Sequence, residues 1–249
     1  DVSTFPIATG TYYKMDYSAG VDISNYKNIK VPTSYMAVNS KYDFVGGYEN
    51  DSQGGMLHVA SHHFSPGKKQ WTWGKGDFGK AWDRNLTDED GPYIELMAGV
   101  YTENQPDFSW LMPYEEKVFT QYFMPYRELG IVKNATHNLI MNIEEVSLER
   151  VRLRIQATND IELRILVKDD EDNIYYNEHL SLSPEKLFDQ ELASDGAELS
   201  SLSVSLFIVN ETGEKLDFFW HSESDDIRPI PDAAVAAQRP QDIKSCDQL

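Results

Sequence analysis

The sequence predicts an all-β protein made of two successive β-sandwiches. Three observations carry that prediction. Short runs rich in Val, Ile, Tyr, Phe and Trp recur along the chain, separated by clusters of Gly, Asn and Asp. The stretches Val151-Arg152-Leu153-Arg154-Ile155 and Ile161-Glu162-Leu163-Arg164-Ile165 alternate apolar and charged residues, the period of a strand with one packed and one wet face. No segment shows the 3.6-residue period of a long amphipathic helix.

Taken in order, the first strands are expected at 29–36, 42–48, 56–64, 69–73, 93–101 and 117–126, each a β-branched or aromatic run closed by turn residues. A second series follows at 138–146, 151–157, 161–168, 174–180, 202–209 and 215–220. The two series differ in character. Residues 1–130 hold 17 acids and 11 bases (net −6), while residues 131–249 hold 24 acids and 11 bases (net −13). Thirteen of the 15 glycines and four of the five tryptophans lie in the first series. A boundary near Gly130 fits both contrasts, so domains are expected at 1–130 and 131–227. The second has the size and about the seven strands of an immunoglobulin-like sandwich. Residues 228–249 are polar and rich in Pro and Ala, the composition of a linker toward a further C-terminal region.

Composition sets the boundaries of function. A chain of 249 residues with 41% hydrophobic content can bury a core, and a formal charge of −19 opposes binding to nucleic acid or to an anionic membrane surface. No apolar run reaches the length of a membrane span. A single cysteine, Cys246, excludes an internal disulfide or a cysteine-based zinc cluster.

Chemistry concentrates between residues 56 and 115. Glu95 stands among Tyr93, Ile94, Leu96 and Met97, which places a carboxylate within or beside a packed layer. Burial without a cation raises a carboxyl pKa toward the range of a general acid or base. A strand carboxylate that simply faces water is the alternative. The following loop interleaves Asn104, Gln105 and Asp107 with Phe108 and Trp110, and Glu115 lies beyond it. Aromatic rings that cover the C–H face of a sugar, with amides and carboxylates for its hydroxyls, make this pattern suited to carbohydrate. A polar loop pinned by two aromatics is equally compatible. Upstream, His58 and His62 are four apart and would share one strand face, as a proton-transfer pair or half of a metal site. No third ligand has suitable spacing, so neither a metal nor any other cofactor is expected. Trp71 and Trp73 share a face, and Trp82 follows glycines at 74, 76 and 79, so the three suit either a core or a stacking platform. The glycines do not form a phosphate loop, and no strand-to-helix transition is expected after them.

The segment YIELMAGVYTENQPDFSWLMPYEEKVFTQYFMPY, residues 93–126, resembles the closing part of aldose 1-epimerases, the galactose mutarotases. Residues 62–74, 82–110 and 121–130 more closely resemble an uncharacterised mutarotase-like domain that precedes tetratricopeptide repeats in bacterial proteins. The resemblance implies a galactose mutarotase-like β-supersandwich portion ahead of the second sandwich. It places Glu95 in the position of the general base that takes the proton of the anomeric hydroxyl; His58 or His62 could serve as its partner, but the resemblance itself does not place them there. With a sugar or glycan as ligand, Asn104, Gln105 and Asp107 would hold hydroxyls, and Trp71, Trp73 or Trp110 would stack on the ring. Aldose epimerase and glycoside hydrolase chemistry both remain open, with Asp107 or Glu115 as the second carboxylate of a hydrolase. A non-catalytic module binding carbohydrate or protein within a repeat-containing assembly is the other reading. Because only the closing portion of a supersandwich is matched, a homo-oligomer or a complementing N-terminal segment is expected. A bacterial cytoplasmic location follows from the kind of protein resembled and the lack of a targeting signal.

Overall fold

The computed structural model describes residues 6–12, 14–37, 40–88, 90–102, 109–222, 242 and 244. Asn104, Gln105, Asp107 and nearly all of the expected linker lie outside the described residues.

Four two-residue strands open the described chain: β1 (Ile7–Ala8), β2 (Thr11–Tyr12), β3 (Met15–Asp16) and β4 (Val21–Asp22). Next come β5 (Thr33–Met36), β6 (Phe44–Glu49), β7 (Gly54–Val59) and β8 (Gly67–Thr72). Helix α1 (Asp77–Leu86) precedes β9 (Ile94–Gly99) and β10 (Tyr122–Arg127). Then follow β11 (Asn134–Ala135), β12 (Leu139–Ser147), β13 (Arg150–Ala157) and β14 (Ile161–Asp169). The last four are β15 (Ile174–Leu182), β16 (Phe188–Ala193), β17 (Leu202–Asn210) and β18 (Gly213–His221). Every sheet is antiparallel, so the all-β expectation holds.

Contacts divide the chain into two compact units. One draws on Asp1–Lys41 and Ser61–Thr120, the other on Tyr42–Ala60 and Gln121–Arg228. In the first, the sheet order is β5-β8-β9. Its packed face is closed by Ala8, Tyr17, Ile23, Ile29 and Tyr35, all essentially inaccessible. The extended order β8 to α1 corrects the expectation that no helix follows the tryptophan strand. Gly74 and Gly76 just before the helix and Gly79 in its first turn hide it, since glycine reads as a turn and has low helix propensity. Two of them are required by close approach. Gly74 has a φ of 75°, and a Cβ there would sit 2.7 Å from the Val31 backbone. A Cβ on Gly79 would stand 1.7 Å from the Gly74 carbonyl oxygen. The helix therefore docks with its first turn on the chain it has just left.

The second unit is a β-sandwich. Sheet β11-β12-β13-β16 faces sheet β15-β14-β17-β18. Leu139, Met141, Ile143, Leu153 and Ile155 meet Leu163, Ile165, Val167, Val204 and Leu206 in one core. The predicted alternation in β13 is realised, with Val151, Leu153, Ile155 and Ala157 buried and the arginines between them turned outward. Sequence reading missed β16, since only Phe188 and Leu192 of its six residues are buried. Its pairing with β13 supplies the rest of its stability. Strand β12 is buried on both faces. Ile140 turns away from the main core into a second cluster with Leu57, Val59, Met124, Tyr126, Leu129 and Ala135. Those residues come largely from the sheet β10-β7-β6, so residues 44–59 and 122–127 pack in this unit. Buried Asn142 donates to the Leu129 carbonyl at 2.9 Å, and Arg154 donates to the same oxygen at 3.2 Å.

On the wet face of β13, Arg152 holds Asp189 through paired bonds of 2.7 and 2.6 Å, and Arg154 pairs with Glu144 at 2.9 Å. The Arg152 hydrogen bonds, with its charge and that of Arg154, hold the Asp189 carboxyl below its ordinary value of 3.8. A carboxyl whose folded pKa is depressed stabilises the fold above the unfolded value and loses that contribution as pH falls through the folded one. Urea unfolding followed from neutral pH to below pH 3.8 will therefore show less acid sensitivity in Asp189→Asn than in the parent chain. Leu153→Ala empties a fully buried site and should cost about 2–5 kcal/mol in the same measurement.

Candidate functional site

The site grows from the register of β8 and β9. Trp71 stands directly opposite Glu95, and Lys69 opposite Met97. Directly opposed residues of an antiparallel pair point to one face. The ring and the carboxylate therefore share the face turned away from the buried cluster, and both are half-buried. Ile94 and Leu96 point the other way and are 41% and 40% exposed. Glu95 is thus less exposed than its apolar neighbours, an inversion that alternation alone would not predict. The Tyr93 hydroxyl is hydrogen-bonded to the Glu95 carboxylate, which raises the phenol pKa by penalising its ionised form.

Aromatic rings extend the face toward α1. Trp71 meets Trp73 edge-on at 4.4 Å, and Trp73 stacks on Trp82 at 4.6 Å with planes 6° apart. Phe78 adds an edge contact to Trp73 at 5.8 Å. Phe78 and Trp82 lie four apart on the helix and so share the side that meets the sheet. Trp73 is the centre of this cluster, contacted on three sides, while Trp71 and Trp82 form its outer rings. Trp73, one of the rings expected to stack on a sugar, is therefore itself stacked on Trp82.

A buried carboxylate holds the helix in place. Asp83 accepts the Tyr93 backbone N–H at 3.0 Å and lies 3.0 Å from the Tyr26 hydroxyl. Tyr26 also reaches the Gly74 carbonyl at 3.0 Å. Burial, then the Asp83 hydrogen bond, pushes the Tyr26 phenol upward. One side chain thus joins α1, the start of β9 and the N-terminal segment. Neither Asp83 nor Tyr93 was singled out by sequence reading. The i, i+2 spacing of Tyr93 and Glu95 in a strand was the available signal for the second.

The histidines do not form the expected strand pair. His58 lies on β7, but that strand ends at Val59, and His62 sits in the turn that follows. That turn is closed by the Phe64 and Ser65 amides on the Ser61 carbonyl. His58 is 2.9 Å from the Gln121 amide nitrogen and meets Phe123 edge-on. The His62 turn is anchored to Gly99 through the Ser65 hydroxyl and to Tyr101 through the Phe64 carbonyl. Gly99 is four residues from Glu95, about 13 Å along the strand. His62 instead packs on His63, with ring centres 4.0 Å apart.

Trp110 and Glu115 belong to a separate constellation around Lys117. Its ammonium donates to the Trp110 carbonyl at 2.6 Å, lies 3.9 Å from Glu115 and covers the Tyr101 ring at 5.1 Å. Glu115 also accepts the Met112 amide at 2.7 Å, so this carboxylate closes its own turn. Among the described residues no group of three His, Cys, Asp or Glu side chains could hold a metal ion.

The fold and site define an all-β protein with an open tryptophan–carboxylate face on a three-stranded sheet. Residues 9–127 match the family model described as "Domain of unknown function (DUF5107)". Residues 134–216 match the model described as "YphG-like protein, second domain". The two matches lie in tandem along the chain. No solved structure matches the chain.

Replacing Asp83 by Ala leaves the Tyr93 amide without its acceptor and should destabilise the fold by about 1–3 kcal/mol. The near-ultraviolet circular dichroism of the stacked Trp73 and Trp82 will weaken in the same variant. An unchanged spectrum would show that the helix docks without this carboxylate.

Proposed function

We propose that the chain binds carbohydrate, with a sugar ring lying on the Trp71–Glu95 face. The observation that carries this reading is the register that sets Trp71 opposite Glu95 on one half-buried face. A planar indole covers the apolar C–H side of a pyranose, and the carboxylate and the Tyr93 hydroxyl satisfy hydroxyl groups at its rim. Lys69 adds a donor one pair further along the same face. The resemblance of residues 93–126 to aldose 1-epimerases supports a sugar as the ligand. The resemblance to a domain preceding tetratricopeptide repeats supports a binding module within an assembly.

A catalytic reading rests on Glu95 itself. A carboxylate hydrogen-bonded to a phenol is a proton-accepting group with a donor beside it, as acid–base chemistry at an anomeric centre requires. In that reading Tyr93 takes the place that sequence reasoning gave to His58 or His62, and the product is an exchanged anomer or a cleaved glycoside.

Calorimetric titration with mono- and oligosaccharides tests the binding, and NMR of the same mixtures follows anomer exchange and glycoside cleavage. The parent chain should bind, and Trp71→Ala should lose roughly tenfold in affinity, about 1.4 kcal/mol. Turnover abolished by Glu95→Gln with binding retained would establish the enzyme. Absence of affinity at millimolar sugar, or full affinity in Trp71→Ala, would overturn the carbohydrate reading.

A further inference from the structure

Strand β9 is the last strand of its sheet, bounded by β8 on one side only. Among the described residues, nothing pairs with the outer backbone groups of 94–98. Natural edge strands of this kind are usually blunted by proline, an inward charge, a bulge or a covering loop. Ile94–Gly99 reads IELMAG, without proline, and its pairing with β8 runs through six successive positions without a bulge.

The exposed residues lie on the face that is packed elsewhere in the sheet. Ile94 and Leu96 stand opposite Thr72 and Gln70, and Gln70 in turn stands opposite Tyr35. Tyr35 is buried in the cluster of Ala8, Tyr17, Ile23 and Ile29. That cluster ends beneath β5 and β8, which leaves Ile94 and Leu96 beyond its rim at 41% and 40% exposure. Two large aliphatic side chains, projecting beside an unpaired ladder, are covered when the sheet gains another strand with the same apolar pattern.

We infer that the occupant is a second copy of this chain, joined by antiparallel pairing of β9 with β9 about a two-fold axis. The strand's own sequence favours this partner. An axis normal to the sheet keeps each face continuous, and it must lie midway between a residue and its own symmetry mate, because directly opposed residues share a face. Centred on Glu95, the pairing would set two carboxylates against each other, which is destabilising. Centred on Met97, it would carry Ile94 past the strand end at Gly99. Centred on Leu96, it places Leu96 on Leu96, Ile94 on Ala98 and Glu95 on Met97. Every apolar residue of the exposed face then meets an apolar one, and each carboxylate meets a thioether. The isologous contact is closed, so it yields a dimer and leaves no free edge at β9.

Analytical ultracentrifugation of the full chain over a concentration series tests the inference. The parent should sediment as a reversible dimer, and Leu96→Lys should shift it to monomer while its far-ultraviolet circular dichroism stays unchanged. Register is read separately by a Leu96→Cys variant made in a Cys246→Ser background, which removes the only native thiol. Opposed residues in an antiparallel pair have Cα atoms about 4.5–5.5 Å apart, within disulfide range. Oxidation should therefore give a covalent dimer through Cys at 96, and Val118→Cys in the same background should not. A parent chain that stays monomeric throughout, or a dimer that persists in Leu96→Lys without cross-linking at 96, would overturn the inference. Both readouts concern mass alone, so they stand or fall independently of sugar binding.

Discussion

The tryptophan face depends on one buried carboxylate. Asp83 receives the Tyr93 amide and meets the Tyr26 hydroxyl, so a helix, a strand end and the N-terminal segment converge on two oxygen atoms. A buried carboxylate is costly unless its oxygens are engaged, and here each oxygen has a partner. The consequence is geometric. With α1 held at Asp83, Trp82 is brought flat against Trp73, and Trp73 in turn fixes the edge of Trp71. Glycines 74 and 79 are the complement of that bond, since they remove the side chains that would keep helix and strand apart.

The second unit rests on a different constraint. Strand β12 carries five successive buried residues, Leu139–Ile143, and so must be covered on both faces. One side takes the opposing sheet of the sandwich, and the other takes the sheet β10-β7-β6 through Ile140. Asn142, on that second side, donates its amide to the Leu129 carbonyl. That hydrogen bond and the apolar burial come from the same neighbouring segment.

How far the sequence could be read follows from the physics of each element. Period-two alternation is local, and β13 and β14 were legible because their wet faces are charged and their packed faces aliphatic. Strand β16 was not, since FDQELA offers only two apolar residues and gains its order from the Arg152–Asp189 pair and the ladder to β13. Helix α1 was hidden by Gly79 and the glycines just before it, whose low propensity is offset by tertiary contact. Within the proposed site, Trp71 and Glu95 could be picked out by residue type. Their opposition could not be, because it depends on which residues of β8 and β9 face each other. The single strand expected to carry both His58 and His62 was not formed, for a similar reason. Spacing implied one strand through both, while the chain turns after Val59.

The sequence by itself determined that the chain is all-β, that its second half is a sandwich, and where its aromatic and acidic chemistry is concentrated. These properties follow from local periodicity and composition, which act over a few residues. Only the tertiary structure decided that Trp71 faces Glu95 and that Trp73 lies between Trp71, Phe78 and Trp82. Register, helix docking and the reach of a buried cluster are set by contacts between residues tens of positions apart. Tyr26 and Asp83 are the clearest instance, 57 residues apart in the chain and one hydrogen bond apart in the fold.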